Sequence, residues 1–271
     1  WKDFSAIAKR IQTAERARGN PDFHGFMFQG KADEGLTCHA LEWIAGSGGG
    51  QVLSDTGDIT VRNKAAAEAL DMAASWVGNI SPLGVLNHEP EDSRGVFQSG
   101  NALFMRNWPY AWALMQKDDS PVKDKVGIAP MPGLQSAEGR SAVGGWQLGV
   151  SRYSKHPELA ADLVLYMTSA AVQRERAIAG AFNPTRPILY QDKEVIAANP
   201  HMPALSHIHR SHTCVAGCIR LCRHNRRRSP NQLLRDFRFL AVNSDNPVGS
   251  SARPNVHPNV LRSRDTREEV V

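Results

Sequence analysis

Three aromatic rings and two strong hydrogen-bonding side chains fall within seven consecutive residues, Arg106-Asn107-Trp108-Pro109-Tyr110-Ala111-Trp112. Flat rings stack on the weakly polar faces of pyranoses, and planar polar side chains satisfy ring hydroxyls. The chemistry on offer is therefore recognition of a polyhydroxylated small molecule rather than bond making. Pro109 stiffens a turn, and the helix that starts behind it presents free N–H groups. Trp108 and Tyr110, at the junction, are expected to face a ligand, whereas Trp112, one turn into the helix, reads as core. Simple core packing of all three rings is the competing explanation.

Two further segments have related character. Gly144-Gly145-Trp146-Gln147 pairs glycines with a tryptophan at the mouth of an expected strand, so that ligand or backbone can approach closely at Gly145. The competing explanation is a bulge with a core Trp146. Gln29-Gly30-Lys31-Ala32-Asp33-Glu34-Gly35 is a polar strand-to-helix loop, a composition that ordinary solvated loops share. No phosphate-binding Gly-rich loop, nucleophile elbow or zinc-binding His-Glu-x-x-His occurs. The acids Asp33 and Glu34, or Glu89, Glu91 and Asp92, lie in polar stretches and read as solvated rather than as a glycosidase pair.

The elements that must carry these groups alternate in type. Phe4, Ile7, Ala8 and Ile11 recur at helical spacing until Gly19-Asn20-Pro21. A strand is expected over 23–29, a helix over 36–45, and an Ala-rich helix over 64–77 capped by Asn63. Next come a short helix over 93–98, a strand over 102–105 and a helix over 110–116. Strands over 126–129 and 146–150 and helices over 157–168 and 171–179 complete the series. Alternation of this kind predicts an α/β architecture.

Charge and cysteine divide the chain near residue 208. Residues 209–271 hold twelve Arg, no Lys and five acids, a net +7, while the 20 bases and 22 acids elsewhere leave −2. The body is thus mildly acidic, and nothing in it predicts a nucleic-acid partner. Cys38 stands alone in the body, while Cys214, Cys218 and Cys222 crowd into the tail with His212 and His224. That spacing departs from the paired knuckles of structural zinc sites, so no metal and no cofactor is expected. The tail composition suggests a frame-shifted reading or disorder, with a genuine basic tail as the other possibility.

Taken in order, these segments resemble the extracellular solute-binding proteins of carbohydrate ABC importers, of the maltose and trehalose type. The resemblance rests on Trp1-Lys2-Asp3-Phe4, Gly25-Phe26-Met27-Phe28-Gln29-Gly30 and Leu41-Glu42-Trp43-Ile44 in the first part of the chain. It continues through Phe97-Gln98-Ser99-Gly100-Asn101-Ala102-Leu103-Phe104-Met105, Asn107-Trp108-Pro109-Tyr110-Ala111-Trp112 and Gly144-Gly145-Trp146. Ala160-Ala161 and Thr168-Ser169-Ala170 fit as well, and the match covers roughly residues 1–208. It implies a type II periplasmic-binding-protein-like fold, two α/β lobes with a hinge, incomplete here because the N-terminal segment has no counterpart. Residues 1–146 would form most of the second lobe, 147–182 would cross to the first, and 183–208 would return. A signal peptide is expected to lie outside this piece.

The resemblance further implies a di- or oligosaccharide, such as an α-glucoside, held between the lobes. Trp108, Tyr110 and Trp146 would stack on it, with Gly145 beside it, and Gln29, Glu34, Arg106 and Asn107 would bind its hydroxyls. Asp33 stands where the family has an aromatic residue, which removes stacking at that subsite. The expected partners are the permease subunits, the location is periplasmic or extracellular, and the protein is expected to be a monomer without enzymatic activity. A carbohydrate-active enzyme, or a basic nucleic-acid-binding protein on the strength of the tail, are the rival readings.

Overall fold

A computed structural model describes residues 1–54, 56–134 and 139–205. The expectations for residues 209–271, including the cysteine cluster, lie outside the described residues. Among the described residues no helix is long and apolar enough to cross a membrane.

The fold starts from a parallel strand pair, β1 (His24–Met27) and β2 (Ala102–Met105), in the register His24↔Ala102, Phe26↔Phe104 and Met27↔Met105. Main-chain bonds extend the pairing at both ends, from His24 N to Asn101 O and from Arg106 N to Met27 O, each 2.9 Å. The opposite edge of β1 is not left open. Ile80 O accepts from Gly25 and Phe26, and the hydroxyls of Ser81 and Ser93 donate to Phe26 O and Phe28 O at 2.7 Å. Buried backbone groups need such partners, which explains why two serines are themselves buried here.

Helices cover this pair. Helix α1 (Lys2–Ala17) crosses β1 so closely that a Cβ on Gly25 would stand 2.9 Å from Ala8 O. Helix α2 (Glu34–Gly46) starts at Asp33, whose carboxylate accepts from Gly35 N, and α3 (Lys64–Trp76) starts at Asn63, whose amide oxygen accepts from Ala66 N at 2.9 Å. Helix α4 (Pro90–Gln98) begins three residues before the expected start, because Pro90 opens it and Asp92 accepts from Glu89 N at 2.8 Å. Helix α5 (Tyr110–Met115) follows β2 directly.

The core is aromatic. Trp76 lies 5.4 Å from Phe26, 5.6 Å from Trp43 and 5.2 Å from Trp1, ring centre to ring centre, and its indole N–H donates to Ser5 Oγ at 2.9 Å. The small residues Ala66, Ala69 and Ala73 let α3 approach that cluster. A second, smaller cluster joins Ala177 of α7 (Ala170–Gly180) to Tyr190, Val195 of α8 (Lys193–Ala198), Met202 and Leu205.

Two expected strands are absent: residues 126–129 and 146–150 follow irregular paths. Each is a short apolar run that reads as strand, but a strand exists only beside a partner, and β1 and β2 are the paired strands among the described residues. Helix α6 (Pro157–Met167) forms as expected yet buries none of its residues. Leu159, Leu163 and Tyr166 stand exposed, and they line a shallow apolar groove of about 450 Å³ together with His156 and Ala160.

Candidate functional site

The end of β2 delivers the candidate residues. Arg106 continues the strand pairing through its N–H, and at Asn107 the chain turns. The Asn107 carboxamide fixes that turn, accepting from Trp108 N at 2.7 Å and donating to Pro90 O at 2.9 Å. Pro109 then leads into α5, leaving Trp108 and Tyr110 half-buried at the junction. The Tyr110 hydroxyl donates to Glu91, which also holds Arg94. Burial, and then the neighbouring Glu91, raise the Tyr110 pKa. Arg94, followed by Tyr110, lowers that of Glu91. The pair is therefore a phenol donating to a carboxylate across the neutral pH range.

Arg106 and Gln29 do not take the places expected for them. The Arg106 guanidinium makes a fork to Glu42 of α2, Nε to Oε2 at 3.0 Å and Nη2 to Oε1 at 2.6 Å, with side-chain exposures of 4% and 1%. Its Cζ lies 4.1 Å from the centre of the Trp108 ring. Gln29 is wholly buried, its side-chain N–H aimed at Arg106 O at 3.4 Å, while its main-chain carbonyl accepts from His39 Nδ1 at 3.1 Å. Both side chains follow strand ends into the space under α2 and are buried there, so neither Arg106 nor Gln29 stands exposed as the hydroxyl-binding group expected of it. Desolvation, and then the Arg106 charge, hold His39 well below its usual pKa, so the ring is neutral.

The loop after residue 139 brings the second candidate segment to the first. Ala142 N donates to Glu42 Oε1 at 2.8 Å, and a Cβ on Gly144 would touch the Trp108 ring at 3.5 Å. Beyond it Gly145 faces open space and Trp146 is fully exposed. Glu34 stands exposed on the first turn of α2, where it accepts from the Cys38 thiol at 3.4 Å. Its loop is tied to the start of α4 by Lys31–Glu89 and by Lys31 N to His88 O. Trp112 is half-buried against His201, 5.3 Å between ring centres.

Glu42 is a buried, paired acid that the composition of its helix already marks out. Its signal was an acid enclosed by Leu41, Trp43 and Ile44 in an apolar helix, a placement that calls for a buried cation. Among the described residues no group of three or more potential ligands is placed to hold a metal. At this junction lie the half-buried Trp108 indole, the Tyr110 phenol and, two residues beyond Gly144, the exposed Trp146 indole.

Residues 1–174 match the family model for bacterial extracellular solute-binding proteins. The chain belongs to that family. It is 45% identical over 205 residues to a probable ABC transporter-binding protein of Deinococcus radiodurans, a match covering 76% of this chain and 49% of that one. It is 30% identical over 161 residues to the probable amino-acid ABC transporter periplasmic-binding protein y4oP of Sinorhizobium fredii, covering 58% and 35%. Among solved structures, maltose-bound MalE3 of T. maritima superposes with a TM-score of 0.72 at 36% identity, covering 79% of this chain and 54% of that one. The fold is thus that of the type II periplasmic solute-binding proteins. The chain spans about half the length of the relatives it matches.

Proposed function

We propose that this chain is part of the solute-capturing component of a carbohydrate ABC importer, working outside the cytoplasmic membrane and passing its ligand to permease subunits. The ligand class is a di- or oligosaccharide of the α-glucoside type. One observation carries the reading: the Trp108 indole is held half-open at a strand–helix junction, flanked by Tyr110 and by the loop of Gly144, Gly145 and Trp146. Rigid rings with neighbouring N–H and hydroxyl groups bind sugars at little entropic cost. The 36% identical neighbour solved with maltose supports the same ligand class. Asn107 serves chiefly to shape the turn, and Glu34 contributes a carboxylate at the rim.

A cleft needs two walls, and the described residues supply one. We assign residues 1–146 to the second lobe, with 147–182 crossing towards a first lobe and 183–208 returning. The exposed Leu159, Leu163 and Tyr166 of α6 support the crossing, since an amphipathic helix requires an apolar partner. The assembly is read as a monomer that releases its ligand unchanged.

The test is calorimetry on the two-lobed protein with maltose, trehalose and a mixture of amino acids. Heat from an α-linked disaccharide is expected. Binding of an amino acid with none of either sugar overturns the ligand class, as the name of the Sinorhizobium relative would suggest. Release of glucose from the same incubations overturns the reading as a binding protein in favour of an enzyme.

A further inference from the structure

Three segments far apart in the chain meet at one carboxylate. Glu42 Oε1 accepts from Arg106 Nη2 at 2.6 Å and from Ala142 N at 2.8 Å, while Oε2 accepts from Arg106 Nε at 3.0 Å. Stability alone does not account for the charge, because a buried ion pair is commonly matched or bettered by apolar residues of the same volume. An apolar pair would not, however, set the plane of a guanidinium or offer an acceptor to a loop N–H. Both of those features point at the candidate site. The guanidinium carbon lies 4.1 Å from the Trp108 ring centre, and the Ala142 bond sits two residues before Gly144, where an added Cβ would meet the same ring at 3.5 Å. Arginine suits the task because its flat head stacks on indole while its edge forms a two-bond fork, which lysine does not reproduce.

We propose that Glu42 is a positioning residue for the Trp108 platform, fixing the indole through Arg106 and the loop of Gly144, Gly145 and Trp146 through Ala142. Its consequence for ligand affinity rests on the saccharide reading above; its consequence for geometry does not. Glu42 touches no ligand in this scheme. It holds the two faces of the site in one register, so that stacking groups are in place before a ligand arrives.

Fluorine NMR on the full chain labelled with 5-fluorotryptophan tests the geometry, with Trp76, Trp108 and Trp146 assigned from Trp76→Phe, Trp108→Phe and Trp146→Phe. The informative variant is the double substitution Glu42→Leu with Arg106→Met, which leaves neither charge buried alone. The expected result is a folded protein with a thermal midpoint near the parent's, displaced or broadened Trp108 and Trp146 signals, and an unmoved Trp76 signal. Arg106→Lys, which keeps the charge and loses the fork, should displace Trp108 as well, and it decides the matter if the double variant does not fold. An unmoved Trp108 signal in whichever of these folds overturns the proposal. In the two-lobed protein, the same variants should weaken maltose binding about tenfold, the scale of a lost stacked cation and its pre-organisation. A parent protein that binds no sugar overturns the ligand class alone, and the fluorine spectra then decide the role of Glu42.

Discussion

Acidification should loosen this protein through His201. The ring is 6% exposed, neither nitrogen has a hydrogen-bond partner, and it packs on Trp112. Burial lowers its pKa from 6.5 to about 4. Above pH 6.5 the ring is neutral in both folded and unfolded chains and contributes no pH dependence. Between about 6.5 and 4 the unfolded chain takes up a proton that the folded one refuses, so stability falls as pH falls through that window and levels off below it. At about 1.4 kcal/mol per unit the ceiling is about 3 kcal/mol. Screening by solvent at the edge of a small cluster brings the expected loss nearer to 2 kcal/mol. That is a sizeable share of a typical stability of about 5–15 kcal/mol. The assay is urea denaturation at a series of pH values for the parent and for His201→Leu. His39, also buried and depressed, contributes the same sign to both proteins and cancels in the difference. The two stability curves should diverge from pH 4 to 6.5, the parent falling faster towards acid. Parallel curves across that window would refute the argument.

Three other outcomes are expected. Trp108→Ala in the two-lobed protein should weaken saccharide binding by about 1–3 kcal/mol, read by calorimetry, and unchanged affinity in a stable variant would place Trp108 outside the site. Asn63→Ala removes the cap on Ala66 N and the ties to Gly49 O and Thr60 O, and should cost about 1–2 kcal/mol in chemical denaturation. Gly25→Ala drives a methyl to within 2.9 Å of Ala8 O, so α1 must shift at a cost of about 1–3 kcal/mol, visible as a lowered thermal midpoint.

Local features of the chain were legible wherever a short-range cause sufficed. The cap at Asn63, the stop at Gly19-Asn20-Pro21 and the 102–105 strand are written in residues a few positions apart, and each forms as read. The ordered aromatic and glycine segments resembled the same family whose model matches residues 1–174. The grouping of Trp108 with Gly144 was legible only as two separate candidates. That Gly144 lies beside the Trp108 ring is a property of the folded loop.

What only the tertiary structure decided is which way each polar group faces and whether each apolar run finds a neighbour. Residues 126–129 and 146–150 have strand-like composition but no strand beside them among the described residues, and a ladder of hydrogen bonds cannot be inferred from one half of it. Gln29 and Arg106 have residue types that suit a sugar site, yet both are buried against α2, Arg106 forked on Glu42 and the main-chain carbonyl of Gln29 accepting from His39, partners that lie far off in the sequence or across a loop. Glu42 gained its importance from Arg106 and Ala142, 64 and 100 residues away. Composition and periodicity settle what a segment can do by itself; a buried charge acquires a meaning only when the fold delivers its partner.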